Sequence, residues 1–196
     1  MEYVLHVLAM FCLYSILATS FNLLVGFGGL FALSQAALYA LGAYATAIGA
    51  GTLGLPFPIP LIMSVVVAAV MSALIAIPAL RVSGHYLVVV SLALQIIVLQ
   101  VALNWKELTG GTDGISGIPQ YTFFGIRIDT PGSFLVVAAI AAVACFWVCR
   151  RLTRSPFGRA LRAMRENEAA AQAVGKNILY MKVTVFAVSA ALAAVA

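Results

Sequence analysis

The stretch from Arg150 to Lys182 is the one long polar interruption in a chain otherwise built of apolar runs. It holds eight of the eleven basic residues: Arg150, Arg151, Arg154, Arg159, Arg162, Arg165, Lys176 and Lys182. Basic residues beside membrane spans are retained on the cytoplasmic side, so this cluster sets the orientation of everything around it. That reading requires a membrane protein, and the composition supplies one. The 196 residues are 64% hydrophobic and 9% charged, against roughly one-quarter charged in a soluble domain. The formal net charge of +5 sits at one membrane edge, unlike the basic stripe of a nucleic-acid binder. Cys12, Cys145 and Cys149 all fall in apolar runs, an odd count that argues against a disulfide framework. Cys145 and Cys149 share a helix face, yet two thiols without His or acidic neighbours make a poor metal site.

Within the basic stretch, Ser155 followed by Pro156 predicts a helix start: a side-chain cap, then a ring already set at helical φ. At 100° per residue, Phe157, Ala160, Leu161, Met164, Ala171 and Val174 gather on one side and Arg159, Arg162, Arg165 and Glu166 on the other. This predicts one amphipathic surface helix outside the spans, stopped by Gly175. Such a loop has two uses. It can anchor on anionic lipid, or its helix can dock in a groove on a soluble partner and pass that partner's movement to the spans.

The segment SPFGRALRAMRENEAAAQAVG, Ser155 to Gly175, resembles the cytoplasmic coupling loop of bacterial ABC importer permeases. More narrowly, it is similar to the branched-chain amino acid permease family, LivM-like subfamily. Ala170, Ala171 and Gly175 match the Ala-Ala-x-x-x-Gly part of the importers' "EAA" motif. In that register the motif's glutamate position is Ala169, with Glu168 one place earlier. The resemblance implies that Phe157, Gly158, Arg162, Glu168, Ala170, Ala171 and Gly175 form the surface that meets the ATPase.

Taken in order, Tyr3 to Val25 is a first apolar run long enough to cross a bilayer, which takes about 20 residues, and no basic n-region precedes it. Asn22 near its end can bond to a neighbouring helix. The glycines of GFGGL, Gly26 to Leu30, predict a break before a second segment, Phe31 to Ala50. That segment is unusually polar for a span, so it is expected to face protein or a water-filled path. Its sequence NLLVGFGGLFALSQAALYALGAYATA resembles a signature of the same family that lies near the translocation path. Ser34, Gln35 and Tyr39 fall within about one turn of each other, close enough for a common polar patch.

A Gly/Pro turn from Thr52 to Pro60 leads into a third run, Leu61 to Leu80, closed by Arg81, which span counting also places in the cytoplasm. The fourth, His85 to Asn104, opens with RVSGHYLVVVSLALQ, again similar to the family; Ile96 stands where many of its members have an acid. Ser91 and Gln95 lie one turn apart, suited either to interhelical bonding or to a solute path. Trp105 to Pro131 reads as an external loop, and its WKELTGGTDGISGIP resembles the family's Thr-Gly-Gly-x-x-Gly segment. Gly132 to Val148 is a fifth run, and Ile178 to Ala196 begins a sixth.

The expectation is therefore all-α: a polytopic transmembrane bundle of about five complete spans and the start of a sixth. Residues 1–196 form a single permease domain, read as a C-terminally truncated fragment, with the coupling loop at 151–178. The resemblance implies a multi-pass subunit of the bacterial inner membrane, moving branched-chain or related amino acids. Its partners would be ABC ATPase subunits, a second homologous permease subunit, an extracytoplasmic solute-binding protein and membrane lipid, with no nucleic acid. ATP would be bound by the partner, since no Gly-x-x-x-x-Gly-Lys-Ser/Thr is present and no cofactor is implied. An ion-coupled transporter or channel is the alternative, but every Asp and Glu lies outside the span interiors, leaving no coupling site there. A membrane enzyme is disfavoured because His6 and His85 have no acidic partner close in sequence.

Overall fold

The computed structural model describes residues 2–56, 58–79, 85–117, 122–123, 126–127 and 131–196. Among these, nine α-helices account for nearly all regular structure: α1 Glu2–Asn22, α2 Gln35–Gly51, α3 Ile59–Ala79, α4 His85–Asn104, α5 Lys106–Thr109, α6 Pro131–Arg154, α7 Pro156–Glu166, α8 Glu168–Ala173 and α9 Ile178–Ala193. The exception is a two-residue antiparallel hairpin, β1 Thr122–Phe123 with β2 Ile126–Arg127, pairing Thr122 with Arg127 and Phe123 with Ile126. Arg81 and the Ser83-Gly84 entry to the fourth run lie outside the described residues.

Among the described residues, three helical stretches are long and apolar enough to cross a membrane: Glu2–Phe27, Tyr86–Asn104 and Pro131–Arg154. The stretch Ile59–Leu74 of α3, and α9, are shorter apolar helices. The expected boundary of the fourth run, His85 to Asn104, is reproduced, whereas the helix of the fifth run, α6, continues past Val148 through the arginines to Arg154. Arginine is a good helix former, and Arg151 and Arg154 in the last turn complement the negative end of the helix dipole.

The expected break at GFGGL takes a specific form. The chain leaves α1 through a π-helical turn, Leu23–Phe27, then runs without helix from Gly29 to Leu33 before α2 begins at Gln35. The second segment is thus shorter at its start than the Phe31 boundary read from the sequence.

α3 packs between α2 and α9, α1 packs on α6 and α9, and α4 leans on α2. One buried cluster joins these elements to the polar loop: Ile16 of α1, Leu23 and Leu24 of the π turn, Cys145 and Cys149 of α6, Leu161 and Met164 of α7, and Val185 and Phe186 of α9. The basic stretch is therefore folded onto the bundle and shares its core.

Candidate functional site

The corner into the loop is built as its residues demand. Ser155 adopts an extended conformation, its hydroxyl accepts from the Gly158 N–H at 3.3 Å, and Pro156 occupies the first turn of α7. Gly158 is where the corner closes: a Cβ there would clash with the Leu152 and Thr153 carbonyl oxygens. Arg162 locks the same corner, donating to the Thr153 carbonyl at 2.9 Å and lying 5.8 Å from the centre of the Phe27 ring.

The single amphipathic helix expected from Pro156 to Gly175 is two helices. Asn167 is extended, at φ −156° and ψ 107°, and its side-chain oxygen accepts from the Ala170 N–H at 3.0 Å. An asparagine that caps a new helix competes with continuation of the old one, so α7 ends at Glu166 and α8 restarts at Glu168. Beyond α8, Gly175 takes φ +79°, its N–H donates to Gln172 at 2.8 Å and the Lys176 N–H to Ala171 at 3.1 Å. This is a left-handed stop of the kind glycine favours.

The apolar face of the loop turns inward. Leu161 and Met164 are essentially fully buried and Ala171 nearly so, with Phe157 and Ala160 packed around them. Burying two such side chains contributes about 1.5–3 kcal/mol each, and the nearest apolar surface is the chain's own spans. What faces outward is polar and small: Arg159, Arg162, Glu166, Glu168, Ala169, Ala170 and Gln172, with Val174 as the one large apolar side chain, 77% exposed. Of the alanine pair, only Ala170 is exposed.

Two further charged contacts bind this loop to the helices on either side. Arg165 donates to the Gly26 carbonyl at the π turn and also pairs with Glu166. Lys182, in α9, pairs with Glu168 at 2.6 Å.

The candidate path residues are dispersed rather than gathered. Gln35 donates to the Ser20 hydroxyl at 2.6 Å, and the Ser189 hydroxyl donates to the Ser20 carbonyl at 2.8 Å with the Gln35 side-chain oxygen 3.3 Å away. This buried knot joins α1, α2 and α9. Ser91 accepts from the Leu33 N–H at 2.9 Å, pinning the non-helical connection to α4. Ser34 is buried beside these contacts, and Gln95 is half-buried. Tyr39 lies apart, in a recess of about 270 Å³ with Thr46, Leu61 and Ala194.

A larger cavity of about 510 Å³ opens between α2, α3 and α4, lined by Leu41, Tyr44, Ile48, Met63, Leu94 and Trp105 among others. Nothing in the sequence marked it, because its walls are mostly the same apolar residues that line any helix contact. Ser189 was equally silent as one hydroxyl in an apolar helix. Phe27 and Gly26, which receive Arg162 and Arg165, sit in the glycine-rich break that the sequence did mark.

Residues 3–196 match the family described as the branched-chain amino acid transport system / permease component. The chain belongs to that family. Among curated proteins, it is 36% identical to the high-affinity branched-chain amino acid transport system permease protein LivM of Salmonella typhimurium over 92% of this chain and 48% of that one. The same figures hold for LivM of Escherichia coli strain K12. The probable LivM permease protein of Methanocaldococcus jannaschii is 29% identical over 69% of this chain and 39% of its own length. The chain spans about half the length of the curated relatives it matches first. No solved structure matches it. A permease component of this family is a membrane protein and not itself an ATPase.

Proposed function

We propose that the chain is the transmembrane permease subunit of a binding-protein-dependent ABC importer for branched-chain or related amino acids. It crosses the bacterial inner membrane about five times and enters a sixth span, with the loop at 151–178 on the cytoplasmic side. ATPase subunits, a second homologous permease subunit and an extracytoplasmic binding protein complete the system. The 36% identity to LivM proteins supports the substrate class and the partners.

The observation that carries the mechanism is the two-sidedness of the loop. α7 buries Leu161 and Met164 in the core of the spans, and Arg162 and Arg165 reach the end of α1, while α8 leaves Ala170 and Val174 outward. A partner that grips α8 and the outer face of α7 therefore moves the α6–α7 corner, made by Phe157 and Gly158, together with the π turn of α1. Gly175 lets the chain turn back toward α9 beyond the contact. The burial of the apolar face leaves little for the bilayer to take up, which favours this use over a lipid anchor.

The test is reconstitution of the complete permease with its ATPase subunits. Ala170→Trp or Val174→Asp is expected to weaken ATPase association by roughly tenfold or more, the scale of a lost interface anchor, while the binding protein keeps its solute. Normal association and uptake in both variants would remove α8 from the interface.

A further inference from the structure

We propose that the basic end of α6 carries a binding groove for an anionic phospholipid, with Arg150, Arg151 and Arg154 taking the phosphate and Val143, Phe146 and Trp147 taking the adjoining acyl carbons. These six residues line one open recess of about 390 Å³ on the outer side of the helix. It is separate from the loop surface assigned to the ATPase and independent of how that subunit docks.

Three observations carry the assignment. The first is a stripe at helical spacing. Val136, Ile140, Val143 and Trp147 are 58 to 70% exposed, and the same face continues into Arg150, Arg151 and Arg154. An apolar band that turns cationic at one end matches the profile of an anionic lipid read from tail to head.

The second is charge without compensation. Both ion pairs among the described residues, Arg165 with Glu166 and Lys182 with Glu168, lie elsewhere. None of the three groove arginines has a carboxylate partner there. Guanidiniums offer paired donors that fit phosphate oxygens, so three on one helix end form a receptor for phosphate more readily than a diffuse surface charge.

The third is preorganisation. The Arg151 guanidinium lies over the Trp147 ring, 5.6 Å from its centre, and an indole at this height is the usual interfacial anchor. Stacking holds one cation at the rim, so less side-chain freedom is lost when phosphate arrives.

The experiment uses the complete permease in phosphatidylcholine nanodiscs, with tryptophans other than Trp147 replaced by phenylalanine. Trp147 fluorescence is titrated with brominated phosphatidylglycerol or brominated phosphatidylcholine. The anionic lipid is expected to quench at roughly a tenfold lower mole fraction, on the order of the surface attraction of one to two basic residues. Combining Arg150→Gln, Arg151→Gln and Arg154→Gln is expected to abolish the preference, whereas Arg159→Gln with Lys176→Gln keeps it. Equal quenching by the two lipids in the otherwise unaltered protein overturns the proposal without recourse to any arginine variant. So does an equal loss in the loop variant, which would mean diffuse attraction. Millimolar inorganic phosphate is expected to leave the quenching unchanged, and displacement by it would assign the groove to a free anion instead.

Discussion

The Arg165 guanidinium donates a hydrogen bond to the main-chain carbonyl of Gly26, joining the polar loop to the π turn that follows α1 across 139 positions. Arg162 meets the neighbouring Phe27 ring, so two arginines one turn apart hold the same short element. Arg165 is about half exposed and its bond contributes little to stability. Arg165→Ala is therefore expected to change the melting temperature of the complete permease by no more than a degree or two. ATP-driven uptake in proteoliposomes should fall several-fold while hydrolysis persists. Unchanged uptake per ATP would show that this bond transmits nothing.

The alanine pair separates fold from docking. Ala171 is buried against the span core and Ala170 faces solvent. Ala171→Trp should overpack the core, costing about 1–3 kcal/mol or more, and should be seen as lost monodispersity of the permease alone. Ala170→Trp should leave the isolated subunit intact and affect only its association with the ATPase. Identical behaviour of the two variants in thermal unfolding of the subunit would contradict the placement.

Gln35 and Gln95 should also part company. Gln35→Leu strips partners from Ser20 and Ser189 in the buried knot. A hydrogen bond between membrane helices averages about 0.6 kcal/mol, so a modest loss of thermal stability is expected along with reduced uptake. Gln95 makes no hydrogen bond among the described residues, so Gln95→Leu should be neutral for stability. A fall in uptake there would mark Gln95 as part of the solute path, and normal uptake would exclude it.

Lys182 is 11% exposed at its side chain, and its partner Glu168 is 53% exposed. A double-mutant cycle of Glu168→Gln and Lys182→Met should give a coupling energy of about 0.5–1 kcal/mol that shrinks with salt. If the coupling vanishes once the ATPase is bound, Glu168 has exchanged Lys182 for a partner on that subunit.

Single-cysteine labelling of intact cells expressing the complete permease should leave a cysteine at position 154 protected and modify one at 113. The reverse pattern would invert the orientation drawn from the basic cluster.

How much of this was legible depends on the range over which each signal acts. The Ser155-Pro156 start, the Gly175 stop and the bounds of α4 follow from nearest neighbours along the chain, and those boundaries match. The split at Asn167 was also local, yet it was hidden because an asparagine within an amphipathic pattern has the same hydropathy whether it caps or continues. The destination of the apolar face was not legible at all. Periodicity tells that Leu161 and Met164 share a side, but only the position of α1 and α9 tells what that side touches. Gln35 illustrates the same limit: its polarity within an apolar segment was visible, and its engagement by Ser20 and Ser189, 15 and 154 positions away, was not.

The π-helical turn Leu23–Phe27 holds one residue more than an α-helical turn of the same span. Returning it to i→i−4 bonding would pass that residue out of the helix and rotate whatever lies beyond by roughly 100°, with a shift of about 1.5 Å along the axis. The extra residue thus lies in the turn that contains Gly26, where the loop takes hold of it. Arg165 and Arg162 meet the first helix at the turn, among the described residues, whose hydrogen-bond register departs from α.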